Sequence, residues 1–124
     1  MTPVRSYRDL VVWQKAMKLA ALCYTKTRSL PRTEAFGMTA QIRRSGASIP
    51  ANIAEGNGRE HTGSYIQFLR VSQGSLKELE THVLLAQMVE LMDKADAEQI
   101  LGMSEEVGKL LRSLIRALQS KGVG

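Results

Sequence analysis

Cysteine is almost missing from these 124 residues. Cys23 stands alone, so no intrachain disulfide can form. No charged, apolar, then small-residue leader opens the chain, and together these absences point to a reducing cytoplasm. Proline occurs three times, and β-branched or aromatic residues do not alternate with polar ones, which argues against strands. Aromatic residues make up only 5%, too few for a stacking platform that reads bases. The most apolar run, Val83 to Met92, contains Gln87 and Glu90 and falls well short of the roughly 20 apolar residues of a membrane span. Histidine is limited to His61 and His82. The residues three before them, Gly58 and Leu79, cannot ligate, so the Glu-x-x-His signature of di-iron bundles is absent. Glu78 lies four before His82, a spacing that reads as a surface pair rather than half a metal site. HExxH, Walker, CxxC and Gly-x-Ser-x-Gly patterns are also missing. The expectation is therefore no metal, no cofactor, no small-molecule substrate, no membrane and no catalytic residues.

What is present is an ordinary globular composition, 44% hydrophobic and 23% charged, long enough for one domain over 1–124 with 1–6 and 120–124 as fraying ends. Helical periodicity runs throughout. Leu10, Trp13, Met17, Ala20 or Ala21, and Tyr24 form a first stripe, stopped by Pro31 just after Leu30. Thr33 reads as the cap of a second helix, whose stripe Met38, Ile42, Ser45, Ile49 and Ile53 ends at Gly56-Asn57-Gly58. That GxG follows a helix, not a strand, and reads as a C-cap rather than a phosphate loop. A third helix starting near Thr62 carries Tyr65, Leu69, Ser72, Leu76, Leu79, Val83 and Ala86 at heptad spacing. After the polar break Asp93-Lys94-Ala95-Asp96, Ile100, Met103, Val107, Leu110, Leu114 and Leu118 make a fourth. Short connections force neighbours to run antiparallel, which predicts an all-α, up-down-up-down four-helix bundle. Pro50 has no N–H and its ring collides with the Gly46 carbonyl, so helix two should kink or restart there, with Ser48 as a new cap. A turn near Asn57 to His61 sets Gly46 level with Gly74, predicting close approach of helices two and three at that pair.

The net charge is +5, and it is unevenly placed: residues 1–60 carry ten basic and four acidic side chains, the remainder seven and eight. On helix one Arg8, Lys15, Lys18 and Lys26 fall within an arc of about 80°. Arg28 and Arg32 continue this ridge into the loop, and Arg43 and Arg44 add charge from helix two. One reading is a solvated face, the other a footprint for phosphate backbones. On helix two Gln41, Ser48, Asn52 and Glu55 lie within about 60° of one another beside the isoleucine stripe. This polar ridge reads first as internal hydrogen bonding and second as a ligand site. Val11, Leu19, Phe68, Val71 and Leu85 lie outside the main stripes, more apolar surface than one core absorbs, and predict a homo-oligomer.

The block Ser48-Ile49-Pro50-Ala51-Asn52-Ile53-Ala54-Glu55-Gly56, with Trp13-Gln14-Lys15-Ala16 before it and Gly74-Ser75-Leu76-Lys77-Glu78-Leu79-Glu80-Thr81 after it, closely resembles the four-helix-bundle family of 23S rRNA intervening-sequence proteins. Met38 and Ser72 stand where that family leads one to expect Leu and Ala. The family is in turn similar to the accessory variability protein of diversity-generating retroelements. The resemblance implies a homopentamer with a role on RNA or DNA, in a cytoplasmic bacterial protein. The function expected is a non-catalytic nucleic-acid-binding or ribonucleoprotein accessory protein. The alternatives are a structural or protein-interaction module whose basic face docks an acidic partner, and, third, an enzyme using Glu55 and Asn52.

Overall fold

The computed structural model describes residues 5–123, and the side chains of 5–121. Four helices follow one another: α1 (Val11–Thr27), α2 (Met38–Asn57), α3 (Thr62–Met88) and α4 (Lys94–Val123), with single 3-10 turns at Tyr7–Asp9 and Arg32–Glu34. Among the described residues there is no strand. Each helix packs on its chain neighbours, and α4 closes the ring against α1, which gives the expected antiparallel bundle. Its centre is a continuous apolar cluster that includes Leu19, Ile42, Ile49, Ile53, Leu69, Leu79, Val83, Ile100 and Leu111, all fully buried.

The heptad stripe of α3 points inward as its spacing requires: Leu69, Ser72, Leu76, Leu79, Val83 and Ala86 are buried. The isoleucines of α2 do the same. On α1 the expected face is corrected. Val12, Ala16, Leu19, Ala20, Cys23 and Thr27 face the core, whereas Met17 and Tyr24 stay about half exposed. Relative to the Trp13-Met17-Tyr24 stripe, the buried face is rotated by about 90° at 100° per residue. The core accepts the small residues of α1, so that α1 and α2 approach closely, and leaves its larger, more amphipathic ones at the edge. Leu19, expected to be surplus surface, is a core residue. A smaller rotation affects α4, where Ala97, Ser104, Leu111 and Ile115 are buried and Met103, Leu110 and Leu114 sit half-buried beside them.

Helix α2 passes through Pro50 unbroken, so the restart at Ser48 does not occur. Interior proline costs about 3 kcal/mol. Burying Ile42, Ile49 and Ile53 on both sides of it returns about 1.5–3 kcal/mol each, which holds the helix in one piece. Nor does Thr33 cap α2. Thr33 lies in the 3-10 turn, the helix begins at Met38, and Glu34 Oε1 accepts from the Met38 N–H at 3.1 Å. The stretch Asp93 to Asp96 is the start of α4 rather than a break, because Asp93 Oδ1 accepts from the Asp96 N–H at 2.8 Å and satisfies a first-turn donor. At the ends, Ser6 caps the first 3-10 turn and α4 continues through Ser120 and Lys121 to Val123; residues 1–4 and 124 lie outside the described residues.

The Gly46–Gly74 pairing is also corrected. Gly74 is exposed, and a Cβ there would meet nothing within 4 Å. Gly46 faces α1 instead, where a Cβ would lie 3.2 Å from Cys23 Sγ. The close glycine contact between α2 and α3 is at Gly56, where a Cβ would fall 2.8 Å from Phe68 Cβ and 3.1 Å from the Tyr65 carbonyl. Gly58 then ends α2 as its C-cap, in right-handed backbone.

Candidate functional site

The expected basic residues fall on two seams, Lys15 and Lys26 between α1 and α4 and Arg43 between α1 and α2. Lys15 Nζ reaches Glu106 Oε1 of α4 at 3.1 Å, and Lys26 Nζ reaches Asp96 Oδ1 at 3.0 Å. These pairs are partly exposed, so each contributes at most about 1 kcal/mol and can exchange for another anion. Arg8 leans over the Tyr7 ring at 5.9 Å. Arg43 is held inside the α1–α2 seam: its guanidinium stacks 4.6 Å over the Tyr24 ring, and its Nε donates to Thr27 Oγ1 at 2.9 Å. Thr27 is buried and itself donates to the Cys23 carbonyl at 2.7 Å, so this arginine ties the end of α1 to α2. Lys18, Arg28, Arg32 and Arg44 are exposed, and no carboxylate pairs with them among the described residues. The eight cations therefore divide into two bound to α4 acids, two stacked on tyrosines and four open to solvent.

The polar ridge of α2 also divides. Ser48 Oγ and Ser75 Oγ are 2.7 Å apart across the α2–α3 seam, and Asn52 Nδ2 donates to the Ser48 carbonyl at 2.8 Å and to Ser48 Oγ at 3.0 Å. Nearby, buried Ser72 donates to the Ile49 carbonyl at 2.9 Å. Ser48 and Asn52 are thus occupied within the bundle. Glu55 turns outward to Arg59, 2.7 Å away, whose guanidinium covers the Phe68 ring at 4.6 Å. Gln41 is half-buried, and its carbonyl accepts from Ser45 Oγ at 2.8 Å.

Sequence reasoning missed an apolar groove of about 450 Å³ between α1 and α2. Trp13, Met17 and Tyr24 form one wall, Ala47, Pro50, Ala51 and Ala54 the floor, and no charged side chain lines it. Tyr7 meets Trp13 edge to face with ring centroids 5.2 Å apart and closes one end. The signal was the alanine repeat at 47, 51 and 54, a second small-residue stripe beside the isoleucines.

Other reactive groups lie apart from these surfaces. Cys23 is fully buried, and burial pushes its thiol pKa up to about 12, so it is protonated and unreactive near neutrality. His82 Nε2 lies 3.6 Å from Glu78 Oε1. Among the described residues no three His, Cys, Asp or Glu side chains gather as a metal site, and no helix is long and apolar enough to cross a membrane.

No curated protein matches the chain. The crystal structure of a protein of unknown function from the S23 ribosomal protein family of Bacteroides thetaiotaomicron superposes with a TM-score of 0.76 at 30% identity, covering 85% of this chain and 98% of that one. Neither its description nor that of the matching family names a catalytic activity. Residues 8–113, almost the whole bundle, match the family described as 23S rRNA-intervening sequence protein, and the chain belongs to that family.

Proposed function

We propose that this is a cytoplasmic, non-catalytic accessory protein that assembles with copies of itself and binds nucleic acid through phosphate backbones. The observation that carries the reading is the four exposed cations Lys18, Arg28, Arg32 and Arg44, from α1, the connection after it and α2, which have no carboxylate partner among the described residues. Arg8 extends the set, and the paired Lys15 and Lys26 join when a phosphate displaces Glu106 or Asp96. Such contacts fix affinity without reading bases, which agrees with the scarcity of exposed aromatic rings. The names of the family and of the similar structure, which refer to 23S rRNA and to a ribosomal protein, favour RNA as the first ligand to try. Five subunits is the number the resemblance implies.

Fluorescence anisotropy with structured RNA, duplex DNA and single strands at two salt concentrations, on material of mass known from light scattering, tests the proposal. Affinity should fall steeply with salt and depend little on sequence. Absence of binding to every nucleic acid at low salt would overturn it. A protein-interaction module is the second reading, favoured by the uncharged groove between α1 and α2.

A further inference from the structure

The groove between α1 and α2 has the form of a seat for a helix. Its floor residues recur at helical spacing and are small, its walls are Trp13, Met17 and Tyr24, and it carries no charge. From Trp13 to Tyr24 it runs about 16 Å, three helical turns. An occupant with a charged face would lose hydration there without gaining a partner.

The chain carries one exposed helical surface of matching character. From Val83 to Val89 no side chain of α3 is charged, yet Leu84, Leu85, Met88 and Val89 are 52%, 44%, 78% and 53% exposed. They lie on the face of α3 turned away from the buried Leu79, Val83 and Ala86. Ser48 meets Ser75, and Ile49 meets Ser72, which places Met38, the first residue of α2, level with residues 83–85. The last turn of α3 therefore runs past the first residue of α2. Because the groove belongs to α1 and α2 while this last turn belongs to α3, one chain can offer both at once.

We propose that the α1–α2 groove of one copy receives the α3 end of a second copy, with Leu84, Leu85 and Met88 seated on the alanine floor. This rests on the self-assembly proposed above and names its contact. The contact joins two different surfaces, so it propagates head to tail and closes as a ring when the rotation allows.

Light scattering on the full chain carrying Ala51→Lys, on the chain carrying Met88→Lys, and on their mixture tests this. Ala51 and Met88 are exposed, so the charges should leave the fold intact, as circular dichroism would confirm; Ala47→Glu and Leu85→Glu replace either variant that misfolds. The parent should be oligomeric and each variant alone should fall to the 13.7 kDa of one chain. The mixture should give a complex of twice that mass, because the intact groove of the Met88 variant accepts the intact α3 end of the Ala51 variant and both remaining ends are blocked. A monomeric parent overturns the self-assembly reading and this contact together. A parent oligomer unaffected by the variants leaves self-assembly standing and overturns the contact. Monomeric variants that do not pair when mixed overturn it too, since they indicate like-to-like surfaces.

Discussion

Gly46 and Cys23 lock α1 against α2: a Cβ on Gly46 would stand 3.2 Å from the Cys23 sulfur and 3.8 Å from the Ala20 Cα. Three small residues, Ala20, Cys23 and Gly46, thus set the distance between the two helices whose outer seam forms the groove. Any larger side chain at Gly46 must push the helices apart or displace Cys23 in a closely packed interior. Gly46→Leu should lower stability by about 1–3 kcal/mol, read as a fall in the urea midpoint. Gly74→Ala, on an exposed turn with open space around it, should raise stability by about 0.5–1 kcal/mol. Equal effects at the two glycines would contradict the assignment of close contact to Gly46.

The fold class, the four helices and the inward face of α3 were legible in the sequence because heptad spacing on a long helix admits one buried face. The face of α1 was not. The spacing of Trp13, Met17 and Tyr24 suggested a core role, but the space left by Gly46 fits only Ala20 and Cys23. The same rotation hid the groove and brought Lys15 and Lys26 within reach of α4, whose Glu106 and Asp96 lie 91 and 70 residues away. Pairings at that range follow from helix rotation, which periodicity on a single helix does not fix. The position of Ser48 and Asn52 beside the isoleucine stripe was legible; their partner Ser75 was not, because its register depends on how α3 slides along α2.

Burial of Cys23 couples stability to alkaline pH. Its thiol pKa is raised from 9.0 to about 12 in the folded chain, so the folded state holds the proton while the unfolded state releases it. The contribution is therefore fully present below about pH 9 and is lost progressively as pH rises from 9 towards 12, at up to about 1.4 kcal/mol per pH unit. Lysines and tyrosines titrate in the same range, so the measurement is the difference between the parent and Cys23→Ala. The stability of the parent should fall more steeply above pH 9 than that of the variant. Parallel curves would show that the thiol is not held protonated.

Glu90 ends α3 in left-handed backbone, with φ of 64°, the only positive φ among the described non-glycine residues. The Leu91 N–H donates to the Ala86 carbonyl at 2.8 Å and the Glu90 N–H to the Gln87 carbonyl at 3.1 Å, the paired bonds of a Schellman ending that glycine normally supplies. The left-handed conformation costs a side chain about 1–2 kcal/mol, and glycine's extra unfolded-state freedom offsets about 0.5–1 of that relief. Glu90→Gly should therefore raise stability by up to about 1 kcal/mol, while Glu90→Ala stays within about 0.5 kcal/mol of the parent. Thermal or urea unfolding of the three proteins decides; destabilisation by glycine would refute the strain.

The division of the basic ridge gives the proposed nucleic-acid binding its most direct test. Lys18, Arg28, Arg32 and Arg44 are exposed and without carboxylate partners, whereas Lys15 and Lys26 already neutralise Glu106 and Asp96. A cation without a partner meets a phosphate at no cost in broken contacts, and each such contact adds about 0.9 to the slope of log affinity against log salt on duplex DNA. Changing the four open cations to Gln should weaken binding to RNA and DNA alike and flatten that slope, with helix content unchanged because glutamine is a comparable helix former. Changing Lys15 and Lys26 to Gln should affect binding less, since those charges are offset before the ligand arrives. It should also cost less than about 1 kcal/mol per pair in stability. A fourfold variant that binds as tightly as the parent would assign these residues to an ordinary solvated face and move the interaction-module reading ahead.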